Sequence, residues 1–295
     1  MTHAPARTVW LNGQFMPEAR AKLPIFDRGL LFADAVYEGL GVLDGQIIDF
    51  PHHMTRMRRS LSELSMPELY SDPSAEAALH TALIDLITRN SVSEGFLYLH
   101  ITRGEHDRDY LYPDGLQPNI FAFTQETHDA PTIRLASAPD IRWARRDIKT
   151  TNLLGQVMAK DIARKAGADE ALMVDRDGYV TECGAMSFFM IKEGALYARP
   201  LLGDLLPGIT RATMLRVAEA EGLRIIEDRY HLSDTYSADE AFATGASSYI
   251  QPVTEIDNHP IANGQPGPIT QHLRETYLTT IRAEIASRTR AESRP

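Results

Sequence analysis

Three lysines, Lys149, Lys160 and Lys165, fall within the stretch RRDIKTTNLLGQVMAKDIARKAG. A lysine amine that loses its proton can add to an aldehyde and form a Schiff base, so the question is which of the three is placed to do so. Lys160 and Lys165 belong to a helical pattern whose apolar stripe, Leu154, Val157, Met158 and Ile162, is expected to face the core. Lys160 lies roughly 110° from that stripe, on a solvated face. Lys165 stands just before Gly167, where a cation complements the end of a helix dipole. Lys149 follows RDI and precedes the helix, at a strand or loop end, where functional side chains project. An ordinary exposed lysine is the plainer reading at this point, and it stays open.

Two further segments suit an anionic, phosphate-bearing ligand. LPGITR sets Gly208 immediately before a helix start, where N–H groups and the dipole favour a phosphate. TGASS, 244–248, offers a small-residue turn with the hydroxyls of Ser247 and Ser248. A helix cap and a strand-end turn explain the same residues, so neither segment decides alone. The phosphate-cradling GxxxxGK[ST] and GxGxxG loops, the HExxH metal pair and the GxSxG elbow are all missing. No catalytic metal is expected.

The elements that must position these residues read as α+β. Asn12-Gly13 and Asp44-Gly45 between apolar runs predict tight hairpins, and FDRGLLFADAVYEGL between them mixes turn and strand character. HHMTRMRRSLSEL and PSAEAALHTALIDLITRN predict helices, the RMRRS cluster at 56–60 forming one basic face. GFLYLHITRG and NIFAFTQE predict buried strands. The polar QETHDAPT predicts a linker at 127–131 between a smaller domain, 1–126, and a larger one, 132–295. In the latter, strands at TIRLASA, EALMVDRDGYVTE and SFFMIKEGALYA accompany a helix over LPGITRATMLRVAEAEG closed by Gly222.

Composition narrows the class of protein. With 40 acidic and 30 basic side chains in 295 residues the net charge is -10, which disfavours a nucleic-acid or anionic-membrane surface. No run of eighteen apolar residues and no signal-like start occur, and the lone Cys183 precludes a disulfide framework. A soluble, unexported protein of the reducing cytoplasm is expected.

Taken in order, FDRGLLFADAVYE, HHMTRM, LYLHITRG, RDIKTTNLLGQVMAK, GADEALMVDRDGYVTE, LPGITR and SSYIQPVTEID resemble the class IV, or fold type IV, pyridoxal-phosphate-dependent aminotransferases, and most of all their D-amino-acid branch. The likeness spans residues 8–280, nearly the whole chain. It implies two α/β domains, the larger with a barrel-like sheet flanked by helices, in a homodimer whose sites are completed across the interface. It implies transfer of an amino group from a D-amino acid to 2-oxoglutarate or pyruvate in a ping-pong cycle, the cofactor alternating between pyridoxal and pyridoxamine 5'-phosphate. Lys149 matches the Schiff-base lysine and Glu182 the carboxylate that pairs with the pyridine nitrogen. Arg56, the amides of Ile209 and Thr210, and Ser247 match the phosphate cup. Tyr37 and Tyr98 match substrate-side tyrosines, and Arg108 the arginine that grips the α-carboxylate. Tyr110 stands where relatives carry histidine, CGAMSFF where they carry a serine-rich run, and Ala246 where they carry threonine. Branched-chain and (R)-amine aminotransferases, and aminodeoxychorismate lyase, share the fold and the lysine, so they are the alternatives.

Overall fold

The computed structural model describes residues 7–112, 114–127 and 130–292. These fall into two compact units: the described residues up to Thr127 together with Ile148–Thr151, and those of 130–147 together with the chain from Asn152 onward. A single boundary at 127–131 with everything from 132 in the second domain therefore misplaces Ile148–Thr151. The reason is backbone pairing, given below. Residues 128 and 129 of the expected linker lie outside the described residues.

The first unit contains β1 (Thr8–Leu11), β2 (Gln14–Pro17), α1 (Arg28–Phe32), β3 (Ala35–Leu43), β4 (Gln46–Ile47), α2 (Phe50–Glu63), α3 (Pro73–Arg89), β5 (Gly95–Thr102) and β6 (Ile120–Glu126). Its antiparallel sheet runs β2-β1-β6-β5-β3-β4. Asn12-Gly13 and Asp44-Gly45 take positive φ at both positions, as two-residue hairpins of right-twisted strands require. Alternation then sorts the faces. Val36, Leu40, Leu97 and Leu99 pack with Met54, Met57 and Leu61 of α2 and Leu83 of α3, while Tyr37, Tyr98, His100, Phe121 and Phe123 carry ring-to-ring contacts on the other face. The short helix α1 was not expected. Asp27 caps it through the Gly29 N–H at 2.8 Å, and it ends on Ala33 at φ +54°, too soon for a periodicity to show.

Ile148–Thr151 lines the free edge at the start of β3. The Lys149 carbonyl accepts the Tyr37 N–H at 3.0 Å, Thr150 bridges Val36, and the Thr151 N–H donates to Ala35 at 3.3 Å.

The second unit contains β7 (Ile133–Pro139), α4 (Leu154–Lys165), β8 (Glu170–Val174), β9 (Val180–Cys183), β10 (Ser187–Lys192), β11 (Ala195–Ala198), α5 (Ile209–Ala220), β12 (Arg224–Glu227), α6 (Leu232–Thr235), β13 (Glu240–Gly245), β14 (Tyr249–Ile256), β15 (His259–Pro260) and α7 (Pro268–Glu292). Its sheet runs β12-β11-β10-β13-β14-β7-β8-β9, with β15 beside β14. The end strand β9 is linked to β10, well inside that order, by residues 184–186 alone, and the Cys183 N–H donates to Met186 at 2.8 Å. So short a link forces the sheet to curl, which is its barrel-like character. The α5 helix ends at Ala220 with Glu221 as its C-cap, and Gly222 follows at φ +77°.

The structure corrects one expectation about α4. This helix packs on β7 and β8 through Ala159 and Ala163, against Ala136, Ala138 and Ala171. Leu154, Val157, Met158 and Ile162 are instead 71%, 59%, 49% and 42% exposed. Alanine lets the helix approach the strands closely, so its larger residues are left pointing away. Lys160 is half exposed and pairs with the buried Glu170 at 2.7 Å, and Lys165 pairs with Asp161 at 2.7 Å. No helix among the described residues is long and apolar enough to cross a membrane.

Candidate active site

In the first unit, Lys149 is fixed by its backbone and aimed by its side chain. Besides the Tyr37 bond, its N–H donates to the Ser60 hydroxyl at 3.3 Å. Its Nζ lies 4.3 Å from the centre of the Tyr37 ring, a contact in which an ammonium meets the negative face of the ring. The register sets Tyr37 opposite His100 and Gly39 opposite Tyr98, so the two tyrosines are diagonal neighbours and their rings stack at 5.2 Å. Burial, with Tyr37 adding to it, pushes the Tyr98 phenol above its ordinary range. The Tyr98 hydroxyl lies 3.1 Å from His100 Nδ1, and burial pulls that imidazole down to about 4, so the ring is neutral at pH 7. Lys149 thus stands beside a rigid aromatic wall in which the Tyr98 hydroxyl keeps its proton.

Arg56 lies on the opposite side of β3, against Glu38 rather than Tyr37. Its Nε and Nη2 donate to the Glu38 carboxylate at 2.9 and 2.6 Å, and His53 Nδ1 lies 2.7 Å from the same carboxylate. All three are buried. The basic face expected for RMRRS is therefore split: Arg56 is inside, while Arg58, partly exposed, pairs with Glu76. Arg56 precedes Ser60 by one turn of α2, which brings it to the neighbourhood of the Lys149 backbone.

Arg108 and Tyr110 stand together on the exposed loop after β5. Arg108 Nη2 donates to the Tyr110 hydroxyl at 3.0 Å, and Phe32 contacts both. The pair offers N–H donors and a phenol on one surface, as a carboxylate requires.

In the second unit, Glu182 is buried on β9 and paired to Arg142. Arg142 also holds Asp140 with two bonds, 2.9 and 2.7 Å, and the Thr181 hydroxyl donates to Asp140 at 2.8 Å. Burial raises the Asp140 carboxyl, but Arg142's hydrogen bonds and charge outweigh it and hold the group at about 2. Arg142 is raised in turn: burial opposes its charge, and the two carboxylates more than compensate. Arg142 therefore keeps Glu182 company as a permanent cation. Sequence reasoning missed it, although the spacing of Asp140 and Arg142 in PDIRW was the available signal.

Ile209 and Thr210 open α5, whose start at Gly208 has no side-chain cap, so first-turn amides face outward from the helix end. A Cβ at Gly208 would come 3.1 Å from Ser187 Oγ. Ser187 pairs in register with Thr244, whose buried hydroxyl has no hydrogen-bond partner among the described residues. Ser247 follows in the turn between β13 and β14. Amides, hydroxyls and an orphaned buried donor are the set that a phosphate needs, so these residues fit the cofactor that the sequence resemblance implies. Ser187 and Thr244 were not among the expected phosphate residues.

The Amino-transferase class IV family model matches residues 35–256. The chain is 34% identical over 283 residues to the D-alanine aminotransferase of Bacillus licheniformis, covering 94% of this chain and 98% of that one. Among solved structures it matches the branched-chain amino acid aminotransferase of Escherichia coli at TM-score 0.86 and 23% identity, covering 94% and 95% of the two chains. It also matches the branched-chain aminotransferase of Thermoproteus uzoniensis, solved with norvaline, at 0.83 and 27%, covering 93% and 94%. The family match spans most of the chain and the curated relative nearly all of it, so the protein belongs to the class IV aminotransferases.

Proposed function

We propose that this aminotransferase uses pyridoxal 5'-phosphate to move the amino group of a D-amino acid to an α-keto acid such as 2-oxoglutarate or pyruvate. When bound, the cofactor supplies an aldehyde for amines and an electron-poor ring that withdraws charge from the substrate α-carbon. Lys149 holds the cofactor and takes up and returns the α-proton at Nζ. Glu182, paired with Arg142, holds the ring nitrogen. The amides of Ile209 and Thr210, with Ser247 and Arg56, hold the phosphate. Tyr37 and Tyr98 wall the substrate side and exclude water, while Arg108 and Tyr110 receive the α-carboxylate.

The observation that carries this reading is Lys149 itself, fixed by backbone pairing to β3 with its Nζ against Tyr37. The D-configured donor is supported by the curated relatives named D-alanine aminotransferase. Solved neighbours named for branched-chain amino acids favour a second reading, an L-specific enzyme of the same chemistry. We further infer a cytoplasmic homodimer, in which the exposed apolar face of α4 meets a second copy of itself.

The test is spectroscopic. D-Alanine or D-glutamate should bleach the visible band of the cofactor-loaded protein, pyruvate should restore it, and Lys149→Ala should show neither change. Bleaching by L-leucine with no response to either D-amino acid would overturn the D-specific reading in favour of the second.

A further inference from the structure

Beneath the loop that carries Arg108, two arginines share one carboxylate oxygen. Arg28 Nε and Arg103 Nε lie 2.8 and 2.7 Å from Asp34 Oδ2, and all three side chains are buried. Buried ions persist when their remaining donors are also used, and here those donors point two ways. Arg103 Nη1 and Nη2 donate to the carbonyls of Ser65 and Leu64 at 3.0 and 2.6 Å, just beyond α2, which ties the group to the body of the unit. Arg28 Nη1 donates to the carbonyl of Asp109 at 2.7 Å, the residue between Arg108 and Tyr110.

Aromatic rings complete the support. Tyr112 lies 3.9 Å from the Arg103 guanidinium and 5.7 Å from that of Arg28. Phe32 lies between Arg28 and Arg108, at 4.8 and 5.5 Å. The foot of the loop is pinned separately: Gly104 has φ +111°, and a Cβ there would come 2.2 Å from the Gln117 carbonyl oxygen.

We propose that Arg28, Asp34 and Arg103 are positioning residues that fix the peptide between Arg108 and Tyr110, so that these two side chains meet a substrate α-carboxylate as one prearranged pair of donors. The proposal depends on the reading of Arg108 as the carboxylate ligand. An arginine on an unsupported loop loses rotamer and backbone freedom each time it binds. Anchoring its neighbour's carbonyl to a buried, directional ion group removes most of that loss before substrate arrives. An apolar support could hold the loop down, but it could not dictate which way the Asp109 peptide faces.

The experiment compares KM and kcat for D-alanine, cofactor Kd and melting temperature in Arg28→Lys, Arg108→Ala and the double variant. Lysine keeps the charge of Arg28 but has no planar fork to span Asp34 and Asp109. Arg28→Lys should raise KM about tenfold, leave kcat within about twofold, and leave cofactor Kd and melting temperature near those of the parent. On top of Arg108→Ala it should add less than about twofold, because it acts through Arg108. An unchanged KM in Arg28→Lys alongside a raised KM in Arg108→Ala overturns this proposal alone. A multiplicative loss in the double variant does the same. An unchanged KM in Arg108→Ala overturns the carboxylate reading beneath it. Should Arg28→Lys not fold, Tyr112→Leu, at an exposed position, carries the same expectation at about threefold.

Discussion

Replacing Arg56 by methionine tests the buried ion group of α2 and β3. Glu38 carries an ordinary carboxyl value of 4.5 when unfolded; in the folded chain burial pushes it up, but Arg56's charge and the hydrogen bonds of His53 and Arg56 outweigh that and hold it at about 2. A depressed carboxyl contributes stability that is fully present above 4.5 and is lost as pH falls toward 2, so the group contributes about 3 kcal/mol at pH 7, less by about 1 kcal/mol at pH 4. His53 acts in the same direction. Burial and the charge of Arg56 hold its imidazole down while Glu38 opposes them, so removing Arg56 raises it and eases the cost of acid. Arg56→Met should therefore cost about 3 kcal/mol at pH 7, at the low end for breaking a buried pair, and the gap to the parent should narrow by at least about 1 kcal/mol at pH 4. Urea unfolding followed by circular dichroism reads both, in cofactor-free protein so that phosphate binding does not enter. A loss below about 1 kcal/mol at pH 7, or a gap that does not narrow in acid, refutes the reasoning.

Two further outcomes are expected. Glu240 caps α7 by accepting the N–H groups of Ile269 and Thr270 at 3.0 and 2.7 Å, and a Cβ at Gly267 would lie 2.0 Å from the Glu240 Cδ. Gly267→Ala should thus cost about 3 kcal/mol through overpacking and a lost cap, and an unchanged melting temperature would show that the clash is absorbed. Val157→Asp puts a charge on the apolar face of α4 and, in the proposed homodimer, does so twice. Sedimentation equilibrium should show the dimer weakened at least about 100-fold; a dimer as tight as the parent's would rule this face out as the contact.

Local chemistry was the most legible part of this chain. Asn12-Gly13, Asp44-Gly45 and Gly222 each need a conformation few residues adopt, so each announced its turn or helix end. The face of α4 was misread for a physical reason: periodicity finds an apolar stripe but not what covers it, and the unit's own strands take the alanines instead. Glu38 reads as a misfit in the apolar strand AVYEGLGVL, because its partners, His53 and Arg56, come from a separate helix. Periodicity could not prefer Arg56 to Arg58; motif resemblance did, and burial now separates them. Arg142 and the Arg28–Asp34–Arg103 group escaped notice because a near pair in each, Asp140 with Arg142 and Arg28 with Asp34, gains its meaning only from a distant third member, Glu182 or Arg103.

The return of Ile148–Thr151 to β3 also bears on the order in which the molecule can be made. The edge at Ala35–Tyr37 leaves the ribosome more than a hundred residues before its partner segment, so a nascent or truncated first unit presents an open strand to any passing chain. A fragment ending at Thr127 should be prone to aggregate and should be rescued by a peptide spanning 146–152. No single cut in the chain therefore yields the first unit whole, since its sheet edge is closed by residues that come after the start of the second.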